Sequence, residues 1–215
     1  MKTLYGFDLS SPYLKVRYLA NYLGIDLKLE QVDAINGEHH SDAYLQLNPV
    51  GKVPVLVDGD FKLFESNAIM RYLAREQGSE LYPSDIKQLA VVDQWLDFVS
   101  IHIGNAMNRV FGNRVIFPMV GIDVDERSIN DGLSFLERFL PVINQQLTTH
   151  PYLAGSQLTL ADFNLVALLD PAAMAGIDLS PYPRLQAHLG HLQQQAWYQQ
   201  CHQFYGAGLQ EAEPA

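Results

Sequence analysis

The 215-residue chain is short of the residues that mark several large protein classes. It has a single cysteine, Cys201, so no internal disulfide can form, which fits a reducing compartment. That lone thiol reads as packed or idle. Lys and Arg number 14 against 24 Asp and Glu, a net charge of −10. So acidic a balance argues against nucleic acid or an anionic membrane as partner. No apolar run approaches the roughly 20 residues of a membrane-spanning helix. Met1-Lys2 leads straight into a strand pattern, without an apolar leader. The seven histidines show no metal-ligand spacing, since His188 and His191 stand three apart without further ligands. There are no internal repeats and no low-complexity tract. A cytoplasmic protein without a bound metal is expected, and a hydrophobic content of 48% supports a sizeable core.

What is present divides in two. Leu4-Tyr5-Gly6-Phe7 reads as a strand, and Ser10-Ser11-Pro12 as a helix start, with Ser11 as cap and Pro12 at the first helical position. That helix is expected to run to Leu23, with Val16, Leu19, Ala20 and Leu23 on one face, and to close at Gly24. Leu27, Leu29 and Gln31 alternate as a second strand. Residues 37–47 are polar and irregular, with room for one short helix. A strand pair and a helix from Ser66 to Gln77 follow, giving β-α-β-loop-β-β-α, a small mixed sheet with helices packed on it. After the break at 79–85 only helical patterns remain. One is expected over 86–111 and another over 126–146, with Pro141 kinking or dividing it. Between them, 112–124 reads as a loop with an apolar middle. Thr159-Leu160-Ala161-Asp162 resembles a capping box, with Asp162 in a structural role. Tyr182-Pro183 opens a further helix, and a last one is expected from Trp197 to Phe204, before a frayed tail from Gly206.

The stretch that organises the first half is Asn48-Pro49-Val50-Gly51-Lys52-Val53-Pro54-Val55-Leu56-Val57-Asp58-Gly59. Pro54 sits where a strand begins, a place proline tolerates. An X-Pro bond in a tight turn is the usual home of a cis peptide, and Val53-Pro54 is expected to be one. Val53 would then offer its N–H and C=O to an extended ligand, as an edge strand does. Shortly after Phe64, a helix N-terminus offers free N–H groups to an anion.

Four stretches, in this order and at these spacings, resemble the cytosolic glutathione transferase family over nearly the whole chain. They are Asp8-Leu9-Ser10-Ser11-Pro12; Asn48-Pro49-x-Gly51-Lys52-Val53-Pro54; Leu63-Phe64-Glu65-Ser66-x-Ala68-Ile69 with Tyr72-Leu73; and Tyr152-Leu153-Ala154-Gly155 leading to Thr159-x-Ala161-Asp162. Gly37-Glu38-His39 and Glu65-Ser66 look most like the serine-type phi and theta classes. The resemblance implies an α/β thioredoxin-like N-terminal domain with a mixed four-stranded sheet over 1–78 and a linker over 79–85. An all-α helical-bundle domain over 86–215 would form the electrophile site, with some of residues 101–119 lining it. It implies a transferase that joins glutathione, as co-substrate, to small hydrophobic electrophiles, and a two-fold homodimer.

By the same resemblance Ser10 is the catalytic residue, standing six residues before the helix valine Val16. Its hydroxyl would hydrogen-bond the glutathione thiolate and so lower the thiol pKa. Ser11 is expected only to cap. Glu65 and Ser66 would take the γ-glutamyl ammonium and carboxylate, Val53 before Pro54 the cysteinyl backbone, and Lys52 and His39 the glycyl carboxylate. His40 reads as an exposed neighbour. Three alternatives stand beside this reading. A zeta-class isomerase shares Ser10-Ser11 and Val16-Arg17 but carries cysteine at Pro12 and glutamine at Glu65. A thiol oxidoreductase would need cysteine at Ser10. A non-catalytic glutathione-binding or protein-interaction module would not need every one of these presumed ligands.

Overall fold

Leu4 and Gly6 face inward from the first strand, β1 (Lys2–Gly6), and the chain then turns into α1 (Ser11–Leu23). The structure, a computed structural model, describes residues 1–202. The expected end of the last helix at Phe204 and the frayed tail from Gly206 fall outside the described residues. Ser10, not Ser11, is the N-cap of α1, with extended φ and ψ of −90° and 105°. Ser11 is therefore the first helical residue and Pro12 the second, where a missing N–H still leaves no helical bond unmade. Gly24 closes the helix in the left-handed region, as expected.

Strand β2 (Leu27–Gln31) pairs parallel with β1. Between 37 and 47 the chain forms two helical pieces where one was expected, a 3-10 turn Glu38–His40 and the short α2 (Asp42–Leu45). Ser41 separates them, because its hydroxyl caps α2 through Tyr44 N–H. Strands β3 (Val55–Asp58) and β4 (Phe61–Phe64) follow, then α3 (Ser66–Glu76). The sheet order is β2-β1-β3-β4, with β1–β3 and β3–β4 antiparallel. The Val53-Pro54 peptide is cis, as expected. Val32, Tyr44 and Val55 form a buried cluster, with Tyr5, Leu47, Val53, Val57 and Phe64 packed on it.

The chain forms two compact units, residues 1–77 with 193–202, and residues 78–192. This departs from a helical domain running unbroken from 86. Helix α10 (Ala196–His202) packs on α1 in the first unit. The Tyr18 ring lies 5.7 Å from that of Trp197 and 5.1 Å from that of Tyr198. Tyr18 Oη bonds His202 Nε2 at 2.8 Å, and Asn21 Nδ2 donates to the Trp197 carbonyl at 3.0 Å. With α3 and α10 both packed on it, α1 is buried at every residue from Tyr13 to Ala20 and not on one face alone.

The second unit is helical. Helix α4 (Ile86–Phe98) is capped by Asp85, whose carboxylate accepts from Lys87 and Gln88 N–H. A π-type turn, Val99–Gly104, leads into α5 (Asn105–Phe111). Helical backbone then continues where a loop was expected, through a second π-type turn, Gly112–Ile116, into α6 (Phe117–Met119). Two side chains hold it. Asn113 is buried, donates to the Arg109 carbonyl at 2.8 Å and accepts from Asp125 N–H at 2.8 Å. Arg114 donates to the Ala175 carbonyl at 2.7 Å. A wider turn leaves room for Pro118, which lacks an N–H.

Helix α7 (Glu126–Thr149) runs through Pro141 undivided, with Pro141 on its exposed side. Helix α8 (Leu160–Leu169) is buried along its length. Asp162, fully buried, accepts from Thr159 N–H, Thr159 Oγ1 and Leu153 N–H at 2.9, 3.1 and 3.0 Å. His188 Nε2 lies 3.2 Å from it without making a hydrogen bond. Helix α9 (Pro183–Gln193) starts at the expected proline. Among the described residues no helix is long and apolar enough to cross a membrane.

Candidate active site

Sheet register brings the candidate residues to one end of the first unit. Tyr5 pairs with Val55, and Val55 with Phe64. The end of β1, the start of β3 and the end of β4 therefore lie side by side. Ser10 follows the first, Val53-Pro54 precedes the second, and Glu65-Ser66 follow the third. Parallel pairing sets Gly6 against Gln31, so the chain leaving β2 toward His39 emerges at the same end.

At the β1–α1 junction Ser10 is half-buried. Its Oγ accepts from Tyr13 N–H at 3.4 Å, a long bond that leaves the hydroxyl proton available to donate outward. The loop that carries Ser10 is clamped by Arg17, which pairs with Asp8 at 2.8 Å; Gln31 also reaches Asp8. Gly6 is needed because a Cβ there would fall 1.9 Å from the Tyr13 ring. Neither clamp was legible in the sequence.

Val53 lies just before β3, and its N–H and C=O have no hydrogen-bond partner among the described residues. The preceding carbonyl, that of Lys52, is held twice, by Tyr44 Oη at 2.9 Å and by Asn48 Nδ2 at 2.6 Å. Asn48 is buried and also takes Val50 N–H on its Oδ1, so one side chain shapes the whole turn. Gly51 has φ +65°, and a Cβ there would stand 2.9 Å from His40 Nδ1 and 3.1 Å from the His39 carbonyl. That approach brings His39 and His40 beside exposed Lys52. The two histidine rings lie 3.9 Å apart. Burial, and then the His40 charge, hold His39 below the ordinary histidine pKa. Its Nδ1 is buried without a hydrogen-bond partner among the described residues. A carboxylate arriving here would meet a permanent charge on Lys52 and a histidine that its arrival favours protonating.

Glu65 sits at φ 69°, the one non-glycine residue with positive φ among those described. It is the N-cap of α3, yet its side chain makes no capping bond. Strained backbone of this kind persists where its surroundings over-determine it and collects at functional sites. Ser66, the first residue of α3, is nine-tenths buried. An uncapped helix start with a hydroxyl beside it is suited to an anion. Behind it is a residue that sequence reasoning missed. Lys15, in α1, is buried, and its Nζ donates to Asn67 Oδ1 at 2.6 Å. Burial pushes Lys15 down to about 7, with Glu65 opposing and Arg71 reinforcing. The available signal was a lysine four residues before Leu19, beside Val16, on the apolar face.

Some of residues 101–119 line a cavity of about 740 Å³ within the second unit. Ile101, His102, Asn105 and Phe117 face it together with Phe135 and Phe139.

The first unit thus brings to one end an unpaired backbone edge at Val53, the Ser10 hydroxyl, the uncapped start of α3, and Lys52 beside His39. Residues 2–75 match the glutathione S-transferase N-terminal domain, and residues 110–196 its C-terminal domain. Glutathione S-transferase 1 of Zea mays is 34% identical over 188 residues, covering 86% of this chain and 87% of that protein. Among solved structures, glutathione S-transferase-I bound with lactoylglutathione has a TM-score of 0.84 and 31% identity, covering 93% of this chain and 97% of that one. Human glutathione transferase theta-2, in complex with glutathione and an unknown ligand, has a TM-score of 0.88 and 30% identity, covering 99% of this chain and 90% of that one. The four-stranded mixed sheet with its helical second unit is the fold of these enzymes, and the chain belongs to the glutathione S-transferase family.

Proposed function

We propose that the protein joins glutathione to small hydrophobic electrophiles and that Ser10 is the residue that activates the thiol. The supporting observation is the convergence of Ser10, Val53 and Ser66 at one end of the sheet, set by the Tyr5–Val55–Phe64 register. Glutathione lies extended there. Its γ-glutamyl carboxylate sits on the first turn of α3 and Ser66, and its ammonium faces Glu65. Its cysteinyl N–H and C=O pair with Val53, with Pro54 fixing the turn, and its glycyl carboxylate meets Lys52 and His39.

The thiol gives its proton to water. The Ser10 hydroxyl and the positive end of α1 stabilise the thiolate. Its sulfur then attacks the electrophilic carbon, forming the C–S bond as the leaving group departs with the bond pair. Binding both substrates together supplies the remaining rate enhancement. The helical unit supplies the electrophile pocket, drawing on residues 101–119. The active form is a cytoplasmic homodimer.

Ser10→Ala tests the assignment. Titrating thiolate absorbance should show the bound thiol pKa rising toward its free value, with kcat falling on the order of 10²–10³-fold while glutathione affinity changes little. Ser11→Ala should do far less. Equal effects from the two substitutions, or none from Ser10→Ala, sink the proposal.

A further inference from the structure

A buried lysine is an expensive choice for the interior of α1. Taking an ammonium out of water costs several kcal/mol unless its surroundings repay it, and Leu or Met would fill the same space. Lys15 nonetheless points from α1 to the start of α3, and it stands on the second residue of that helix through Asn67 Oδ1 at 2.6 Å. This same turn carries no side-chain cap from Glu65. Its first residue, Ser66, is nine-tenths buried, and the hydroxyl has no hydrogen-bond partner among the described residues. Two independent features, an uncapped turn and an idle hydroxyl on a nine-tenths buried residue, mark the place of an acceptor that the described residues do not provide.

We propose that Lys15 is a positioning residue for the γ-glutamyl carboxylate: it fixes the first turn of α3 through Asn67 and supplies, from behind, charge against which that carboxylate settles. The inference rests on the glutathione reading above and adds to it a residue and a selectivity. The helix dipole alone attracts any anion weakly. An ammonium buried in low dielectric behind the turn strengthens that field, because little water screens it. The charges of Glu65 and Arg71 both act on this ammonium, Glu65 favouring it and Arg71 opposing it. Glu65 is exposed, so it is free to face a ligand ammonium while Lys15 governs the carboxylate. The turn is thereby selective for a zwitterionic amino-acid end over an uncharged or purely cationic one.

Calorimetry at pH 6, below the Lys15 titration so that the ammonium is present, tests this with two ligands. S-methylglutathione has no thiol, so Ser10 does not enter the measurement. Its analogue with γ-aminobutyryl in place of γ-glutamyl lacks only the α-carboxylate. Wild-type protein should bind S-methylglutathione at least about tenfold tighter than the analogue. Lys15→Met should lose roughly tenfold on S-methylglutathione and nothing on the analogue. Equal losses on both ligands would mean that Lys15 only supports the fold, and they overturn the proposal, as does no loss on either. If Lys15→Met does not fold, Lys15→Gln keeps a donor for Asn67 without the charge, and the same pair of ligands decides the matter with the same outcomes. Wild-type protein that binds neither ligand, or both alike, defeats the glutathione reading itself, and the role of Lys15 falls with it. A wild-type preference left intact in the Lys15 variant defeats the role of Lys15 alone.

Discussion

Removing Lys15 should change how stability responds to pH, and the sign follows from its burial. In the unfolded chain this lysine titrates at its ordinary 10.5; in the folded protein burial brings it to about 7. Between those values the unfolded state binds more protons than the folded one, so stability rises with pH. Below about 7 both states hold the proton, and the full burden of a buried charge is present. Above 10.5 neither does, and the burden is gone. From pH 7 to pH 9 the two titrations yield about 2 kcal/mol, at 1.36 kcal/mol per pKa unit.

Lys15→Met should lack that increment, while every other titrating group is common to both proteins and cancels in the difference. Urea unfolding at pH 7, 8 and 9 reads it. With a slope of roughly 1–3 kcal/mol per molar, the wild-type midpoint should gain roughly 1 M on the variant over this range. Above pH 10 the trend reverses in both proteins, because burial holds the Tyr13 and Tyr44 hydroxyls up to about 12. The unfolded chain then releases those protons first, and stability falls as pH rises. Parallel midpoint curves for wild type and Lys15→Met would show that Lys15 keeps an ordinary pKa and is not held in low dielectric.

Other changes probe separate parts of the molecule. Gly51→Ala places a Cβ 2.9 Å from His40 Nδ1 at a positive φ, so it should cost about 1 kcal/mol. It should also raise KM for glutathione more than it lowers kcat, and a fall in kcat alone would contradict the placing of His39 and Lys52 at the glycyl end. Asp162→Ala strips three donors of one buried acceptor; a loss of about 3 kcal/mol or more is expected in denaturant unfolding, and a change under 1 kcal/mol would deny the capping box its role. Sedimentation at low micromolar concentration should report twice the chain mass, as two-fold closure requires; a clean monomer would remove the homodimer.

Much of this was legible because it is local. The strand alternation, the proline before β3, the capping box at Thr159 and the start of α9 at Pro183 each rest on residues within a few positions of one another. Ser10, Val53, Glu65 and Ser66 were legible as chemistry, and the sheet register then brought them together. What escaped depends on partners far along the chain. The helical course of 112–119 rests on Asn113 reaching Asp125 and Arg114 reaching Ala175. The burial of α1 on both sides rests on α10. Lys15 is an ordinary surface residue until α3 covers it, and Asn48 is a turn residue until its amide meets Lys52. Capping by Ser10 in place of Ser11 is a shift of one residue, set by where β1 releases the chain.

The packing of α10 on α1 also has a consequence for the order of synthesis. The first unit holds the sheet and the candidate thiol site, yet it is closed by a segment that leaves the ribosome only after the whole second unit has been made. Until residues 196–202 emerge, Tyr18 and Asn21 have neither Trp197 nor His202 to meet, and one flank of α1 stays open to water and to other chains. The second unit, continuous from 78 to 192, can complete its own contacts earlier. In a nascent chain the unit made first is therefore finished last, and the interval between is when it is most exposed to misassembly.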